Sequence, residues 1–265
     1  MAPTDWLRCA IFAPVQDIAL DPRPEANETL VILHECETAV VVHKPPWLLV
    51  HSSAWAGPRE RTLMDLVRDQ LPANLHPVHR LDRQCSGVLL LARGGENARA
   101  WQSAMQSERS EKWYLALVRG GLREGRVVEH ALRDEDGVAR EARSEVRPIC
   151  WAEGEARSSL VAVRIFTGRQ HQVRRHLKHL SHPMLGDANY GKQPLNRWFR
   201  EHYGLTRMAL HAHALAATCD DGAQVRVRAA MPQDLAAVCD RLYPERWRDA
   251  LREAFADTVF ATMDG

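Results

Sequence analysis

The sequence predicts an α+β domain, on three observations. Strand-type and helix-type hydrophobic periods intermix along the chain without the regular βα alternation of a doubly wound sheet. Two amphipathic helical segments end the chain, where they can cover a sheet. Hydrophobic residues make up 45% and charged residues 26% of 265 residues, which is the balance of a folded chain with a substantial core and unlike a disordered or fibrous one. No internal repeat, low-complexity tract or glycine-rich phosphate loop competes with that reading.

Residues 1–29, rich in proline and without sustained periodicity, read as an N-terminal extension, leaving 30–265 as the folded unit. Leu30 to His34 and Ala39 to Lys44 are short apolar runs that read as two strands of an edge hairpin, stopped by Pro45-Pro46. In "RTLMDLVRDQL" the apolar residues Leu63, Leu66, Val67 and Leu71 fall on one helical face, with Pro72 just beyond. "GVLLLAR" is a continuous apolar run of strand length, followed by the helix-forming "ENARAWQSAMQS". "KWYLALVRG" alternates, setting Trp113, Leu115 and Leu117 against Tyr114 and Ala116. "SSLVAVRIFTG" is a further strand and "RQHQVRRHLKHL" a basic helix after it; "ALHAHALAA" and "QVRVRAA" are strand candidates. "QDLAAVCDRLY" and "ERWRDALREAFADTV" are the closing helices.

No stretch reaches the ~20 apolar residues that cross a bilayer, and no charged segment followed by an apolar run opens the chain, so a cytoplasmic location is expected. The six cysteines form no C-x-x-C pair, which argues against a disulfide framework or zinc knuckle and for reduced thiols. Net charge is only +1, but its distribution is uneven. Between Arg157 and Leu180 stand Arg157, Arg164, Arg169, Arg174, Arg175 and Lys178 without one acid, a one-signed run suited to phosphate contact. His176, His179 and His182, with His211 and His213, raise a zinc reading. Pro183 ends the helix near His182, and no carboxylate or cysteine completes a ligand set, so no metal is expected.

The stretch "HPVHRLDRQCSG" sets one acid, Asp82, among basic groups on a loop that enters a buried strand. His79 to Gly87 resembles the signature of the RluA-type family of RNA pseudouridine synthases. Lys112 to Gly120, Thr167 to Leu177 with His182 to Gly191, and Leu210 to Ala212 agree with the same family in order. "VRDQLP", "NRWFREHYGLTR" and "MALHA" resemble its tRNA-acting branch.

The resemblance implies the pseudouridine synthase fold, a mixed, largely antiparallel sheet with flanking helices and an active-site cleft across it. The implied reaction isomerises uridine in structured RNA, in tRNA at uridine 65, with a ribosomal uridine or a purely RNA-binding role as the alternatives. No cofactor is implied, the partner is RNA, and relatives suggest a monomer. No small S4-type RNA-binding domain, as in many ribosomal relatives, is expected before Leu30.

By the same resemblance Asp82 is the essential carboxylate, Arg174 the guanidinium that keeps it ionised and oriented, and Tyr114 the aromatic packed on the uracil. A nearby guanidinium counters the tendency of a desolvated carboxylate to hold its proton. Arg80 would stack in the vacancy left by an extruded nucleotide, and Leu210 would wall the pocket. Arg169, His171, Arg175 and Lys178 would contact RNA. Gly186-Asp187 and Tyr190-Gly191 read as a supporting turn. Three positions depart from the family pattern: Cys85 where Thr is usual, and His43 and Trp47 where Asn and Gly are common.

Overall fold

A computed structural model describes residues 29–52, 60–71, 73–244 and 246–261. The expected N-terminal extension, with Cys9, lies outside the described residues, as does Pro72.

The first hairpin is β1 (Val31–Glu35) and β2 (Ala39–Lys44), followed by α1 (Leu63–Gln70), β3 (Leu75–Pro77), β4 (Ser86–Arg93) and α2 (Gly94–Gln106). Next come β5 (Glu111–Arg119), β6 (Arg126–Glu129), β7 (Leu132–Arg133), β8 (Ala139–Arg140), β9 (Arg143–Ala152) and β10 (Ser158–Ile165). The chain continues through α3 (Gln172–His179), α4 (Gln193–Tyr203), β11 (Leu210–Thr218), β12 (Gln224–Arg228), α5 (Gln233–Leu242) and α6 (Trp247–Ala254).

One mixed sheet runs β1-β2-β4-β11-β5-β10-β9-β6, with β3 also on β4 and β12 also on β11. Every pairing is antiparallel except β4 with β11, where Ser86 opposes His211 and Gly87 opposes Ala212. The α+β class, the largely antiparallel sheet and the edge position of β1 agree with the expectation.

The period of two divides the core. In β10, Leu160 and Ala162 join one hydrophobic cluster, while Val161 and Val163 join another across the sheet. Leu81, Leu89, Leu91, Ala116 and Val163 pack with α1 and α3 residues on one face. Trp113, Leu115 and Leu117 pack with Phe199, Val238 and Trp247 of α4, α5 and α6 on the other, so the closing helices do cover the sheet. A third cluster seats Trp101 of α2 against Val41 and Leu90.

Strands β6 and β9 carry no sequence-based expectation. In β9, Pro148 discourages a strand reading, yet it sits at a register irregularity opposite Val161, where a proline is tolerated. The basic helix starts at Gln172, three residues later than its composition suggests. Arg169–His171 form a turn closed by the Gln172 side chain, whose Oε1 accepts from Arg169 N at 3.0 Å and Thr167 Oγ1 at 2.7 Å. Among the described residues no helix is long and apolar enough to cross a membrane. Cys85, Cys150, Cys219 and Cys239 are buried free thiols, and Cys36 is a half-buried one.

Candidate active site

Asp82 stands on the loop between β3 and β4, and its neighbours explain its position. Leu81 is buried in the cluster beneath, so the next side chain is turned outward, and the Asp82 side chain keeps 27% of its surface exposed. The amide of Cys85 closes a turn on the Asp82 carbonyl at 2.9 Å. His79 Nε2 accepts from Leu90 N at 3.1 Å, a role that needs a neutral ring; burial pushes its pKa down to about 4.

Two buried cations hold this loop from below. Lys44 Nζ donates to the carbonyls of Pro45, Leu48 and Arg83 at 2.8, 2.7 and 3.1 Å, and burial lowers its pKa to about 7. Arg207, buried, gives Nη1 to the Gln84 carbonyl at 2.9 Å and to the Met208 and Leu210 carbonyls at 3.3 Å. Its Nη2 reaches Ser86 Oγ at 3.2 Å, and Asp234 of α5 takes Nε at 2.5 Å and Nη2 at 3.1 Å. Gly87 has φ +115, and a Cβ there would stand 2.1 Å from the Ala212 carbonyl oxygen, so only glycine lets β4 and β11 approach.

Arg174 projects inward from α3 with 8% of its side chain exposed. Its Nε and Nη2 donate to Asp187 Oδ2 and Oδ1 at 2.7 and 2.9 Å, a bidentate pair, and its Nη1 donates to Asp82 Oδ2 at 3.0 Å. Burial pushes the Asp187 carboxyl up, but Arg174 and the amides of Asn189 and Tyr190 outweigh that and hold it below the usual carboxylate range. His171, at φ 52, lies with Nε2 3.6 Å from Asp82 Oδ1 and Nδ1 3.2 Å from the Tyr190 hydroxyl. Burial lowers its pKa. The Tyr190 ring sits under the Arg174 guanidinium at 4.9 Å.

A cavity of about 750 Å³ opens beside Asp82. Arg80, Asp82, Tyr114, Arg169 and His171 line it together, joined by Gln102 and Lys112, which the sequence reading did not assign. Burial raises the Tyr114 phenol far above its ordinary value, with the Cys85 and Asp82 side chains adding to the effect, so the hydroxyl is neutral at neutral pH. Lys112 is lowered by burial to about 8, with Arg164 contributing. Such a chamber has the size and polarity for one extruded nucleotide.

The remaining candidates lie elsewhere. Leu210 is buried in the cluster with Leu81 and Ala116, behind the cavity lining, because its side chain faces the core side of β11. Arg175 and Lys178 are on the outer side of α3, Arg175 donating to the Arg133 carbonyl at 2.9 Å and Lys178 resting 5.6 Å from the Tyr190 ring.

The one-signed run is less free than its sequence implies, since acids outside it, Glu153 just before it and Glu111 on β5, meet it. Arg157 is 3.7 Å from Glu153 and Arg164 is 3.7 Å from Glu111. The histidines are also engaged. His176 contacts Ser144 Oγ and the His130 carbonyl, and His211 contacts Ser86 Oγ and the Ala229 carbonyl. Among the described residues no group of three or more His, Cys, Asp or Glu could hold a metal ion.

Asp187 and Arg207 are the principal residues that sequence reasoning missed. Asp187 was assigned to a turn, and its carboxylate contacts are not readable from "GDANYG". Arg207 gave no signal beyond its place before "MALHA". Of the departures from the family pattern, Cys85 is buried and pushed up to about 12, so it remains a thiol, and Trp47 adopts φ 67 where glycine would be unstrained.

Residues 38–179 match the family model described as RNA pseudouridylate synthase. The tRNA pseudouridine synthase C of Yersinia pestis is 38% identical over 206 residues, covering 70% of this chain and 80% of that protein. That of Vibrio cholerae is 37% identical and covered to 84%. The match to the Pectobacterium carotovorum protein of the same name, 37% identical, spans only 54% of that relative's length. Among solved structures, human RNA pseudouridylate synthase domain containing 1 superposes with a TM-score of 0.69 at 26% identity, over 89% of this chain and 98% of that one. Human RNA pseudouridylate synthase domain containing 4, at 22% identity and a TM-score of 0.63 over 80% of this chain and 92% of that one, shares the fold.

Proposed function

Because the chain belongs to the RNA pseudouridylate synthase family, we propose that it converts uridine to pseudouridine in tRNA, at uridine 65, with residues 30–265 as the catalytic unit and the cytoplasm as its place of work. The observation that carries this reading is the convergence of Asp82, Tyr114 and Arg80 on one nucleotide-sized cavity, with Arg174 bonded to the Asp82 carboxylate. The tRNA substrate is supported by the names of the bacterial relatives.

The reaction breaks the uracil N1 to ribose C1′ bond, turns the base and joins C5 to C1′, while a proton leaves C5 and one is taken up at N1. No electrons are exchanged with an outside reagent. Asp82 supplies the carboxylate at the ribose and base, held there by Arg174 Nη1. Arg174 Nη1 bonds one oxygen of that carboxylate, Oδ2, and leaves Oδ1 near His171. Tyr114 supports the base with its ring and offers a neutral hydroxyl near C5. Arg80, exposed at the cavity mouth, stacks where the target base has left the RNA. Arg169, Arg175 and Lys178 meet phosphates and position the strand without reading its sequence.

The test maps pseudouridine in tRNA and ribosomal RNA from cells with and without the protein, complemented by wild type or Asp82→Asn. Loss of one tRNA pseudouridine, restored by wild type alone, is the expected result. Loss in ribosomal RNA would overturn the tRNA assignment, and no change in either RNA would overturn the reaction.

A further inference from the structure

We propose that Asn196 on α4 is a positioning residue for the reaction: it locks the Gly186–Gly191 turn, so that Asp187 holds Arg174, and Arg174 in turn holds Asp82. This inference rests on the functional reading above.

Arg174 has one guanidinium to place and two carboxylates to meet. Its bidentate contact with Asp187 uses Nε and Nη2, leaving Nη1 to make a single bond to Asp82. A single bond at one nitrogen leaves the ring of possible orientations open, whereas a fork fixes the plane. The orientation of the Arg174–Asp82 contact is therefore set on the Asp187 side. Asp187 has a fully buried side chain and owes its own position to the turn that carries it.

That turn is held by α4. Asn196 Oδ1 accepts from Gly186 N at 3.0 Å, and Asn196 Nδ2 donates to the Asp187 carbonyl at 2.9 Å, so one amide grips both sides of the Gly186–Asp187 peptide unit. Gly191 N closes on the Asp187 carbonyl at 3.1 Å. The turn has no room to relax: a Cβ at Gly186 would lie 2.1 Å from the Arg207 carbonyl oxygen and one at Gly191 2.4 Å from the Asp187 carbonyl oxygen. Asn196 itself is buried, and α4 is anchored by Phe199 in the cluster on the far face of the sheet. The path from Asn196 to Asp82 runs by hydrogen bonds of 3.0 Å or less through the buried Asp187 and Arg174 to the half-buried Asp82.

The experiment compares full-length wild type, Asn196→Ala, Asp187→Asn and Glu201→Ala, the last an exposed change on the same helix, with unmodified tRNA as the probe. Asn196→Ala is expected to lower kcat about tenfold with KM within twofold, and Asp187→Asn about a hundredfold, while Glu201→Ala matches wild type. A second readout does not depend on activity. The Arg174 side-chain Nε–H resonance in ¹⁵N NMR is expected to be sharp and slowly exchanging in wild type and Glu201→Ala, and broadened in Asn196→Ala.

A folded Asn196→Ala with wild-type kcat and an unchanged Arg174 resonance overturns the proposal, as does a raised KM at unchanged kcat. If Asn196→Ala does not fold, Asn196→Asp, which keeps the acceptor for Gly186 N and loses the donor to Asp187, carries the same comparison. Wild type inactive on tRNA would count against the functional reading, and the resonance would then decide the relay by itself.

Discussion

The Asp82 carboxylate accepts from Nη1 of Arg174 at 3.0 Å across 92 residues of sequence. The loop before β4 and the first turns of α3 are separately unremarkable as basic surface segments; only the sheet order brings them face to face. Asp82→Asn keeps the shape and removes the charge. The expected outcome is loss of pseudouridine formation by about 10³-fold or more with RNA affinity within a few-fold of wild type. Quantifying product by mass spectrometry beside a filter-binding titration checks both halves.

Arg174→Lys retains a cation and removes the fork. Lysine cannot bond Asp187 in two places and Asp82 in a third with fixed geometry, so kcat is expected to fall about 10²-fold. Single-turnover rates at saturating RNA measure it, and a variant within twofold of wild type would exclude an orienting role.

Asp187 couples the site to stability through pH. Its folded-state pKa is depressed, so the stabilisation it brings is complete above the unfolded value of about 4 and is lost as the pH falls through the folded value. Urea unfolding of wild type and Asp187→Asn at several pH values is expected to give a stability gap that is widest at neutral pH and narrows below about pH 4. A gap independent of pH would show that the carboxylate charge is not what Arg174 requires.

Arg207→Met tests the buried clamp under the loop. It removes the Arg207 donor from the Gln84 and Leu210 carbonyls, while the Met208 carbonyl keeps Leu210 N at 2.9 Å, and unsatisfied buried groups cost about 1–3 kcal/mol each before relaxation. Destabilisation of about 3 kcal/mol is expected in denaturant unfolding, together with reduced activity because the Asp82 loop loses one of its attachments beside β11.

Lys178→Ala addresses the outer side of α3. If this cation meets a phosphate, RNA affinity weakens for every sequence tested and the slope of log affinity against log salt falls by about 1. Binding titrations at several salt concentrations read the slope, and no change would leave Lys178 a solvated side chain.

Much of this molecule was legible beforehand because its signals are local. The continuous apolar run of β4 and the alternation of β5 dictate burial directly, and "HRLD" places an acid on a loop before a buried strand. Helix α4 is legible from Pro194 at its start and Gly204 at its end. The β6–β9 region was not, since Pro148 breaks the pattern and its pairing depends on β10. Within the site, the partners Asp187 and Arg207 are fixed by contacts 13 and more than 120 residues away, which no spacing rule encodes. For the same reason the charge run is freer in sequence than in space, where Glu111 of β5 approaches Arg164.

The one parallel strand pairing among the described residues, β4 with β11, carries a consequence for biosynthesis. A ribosome delivers the Asp82 loop first, but the segment that locks it, through Ala212 against Gly87 and Arg207 against Gln84, follows more than 120 residues later. A nascent chain that already bears the HRLD loop but not that strand therefore lacks the contacts that lock the loop.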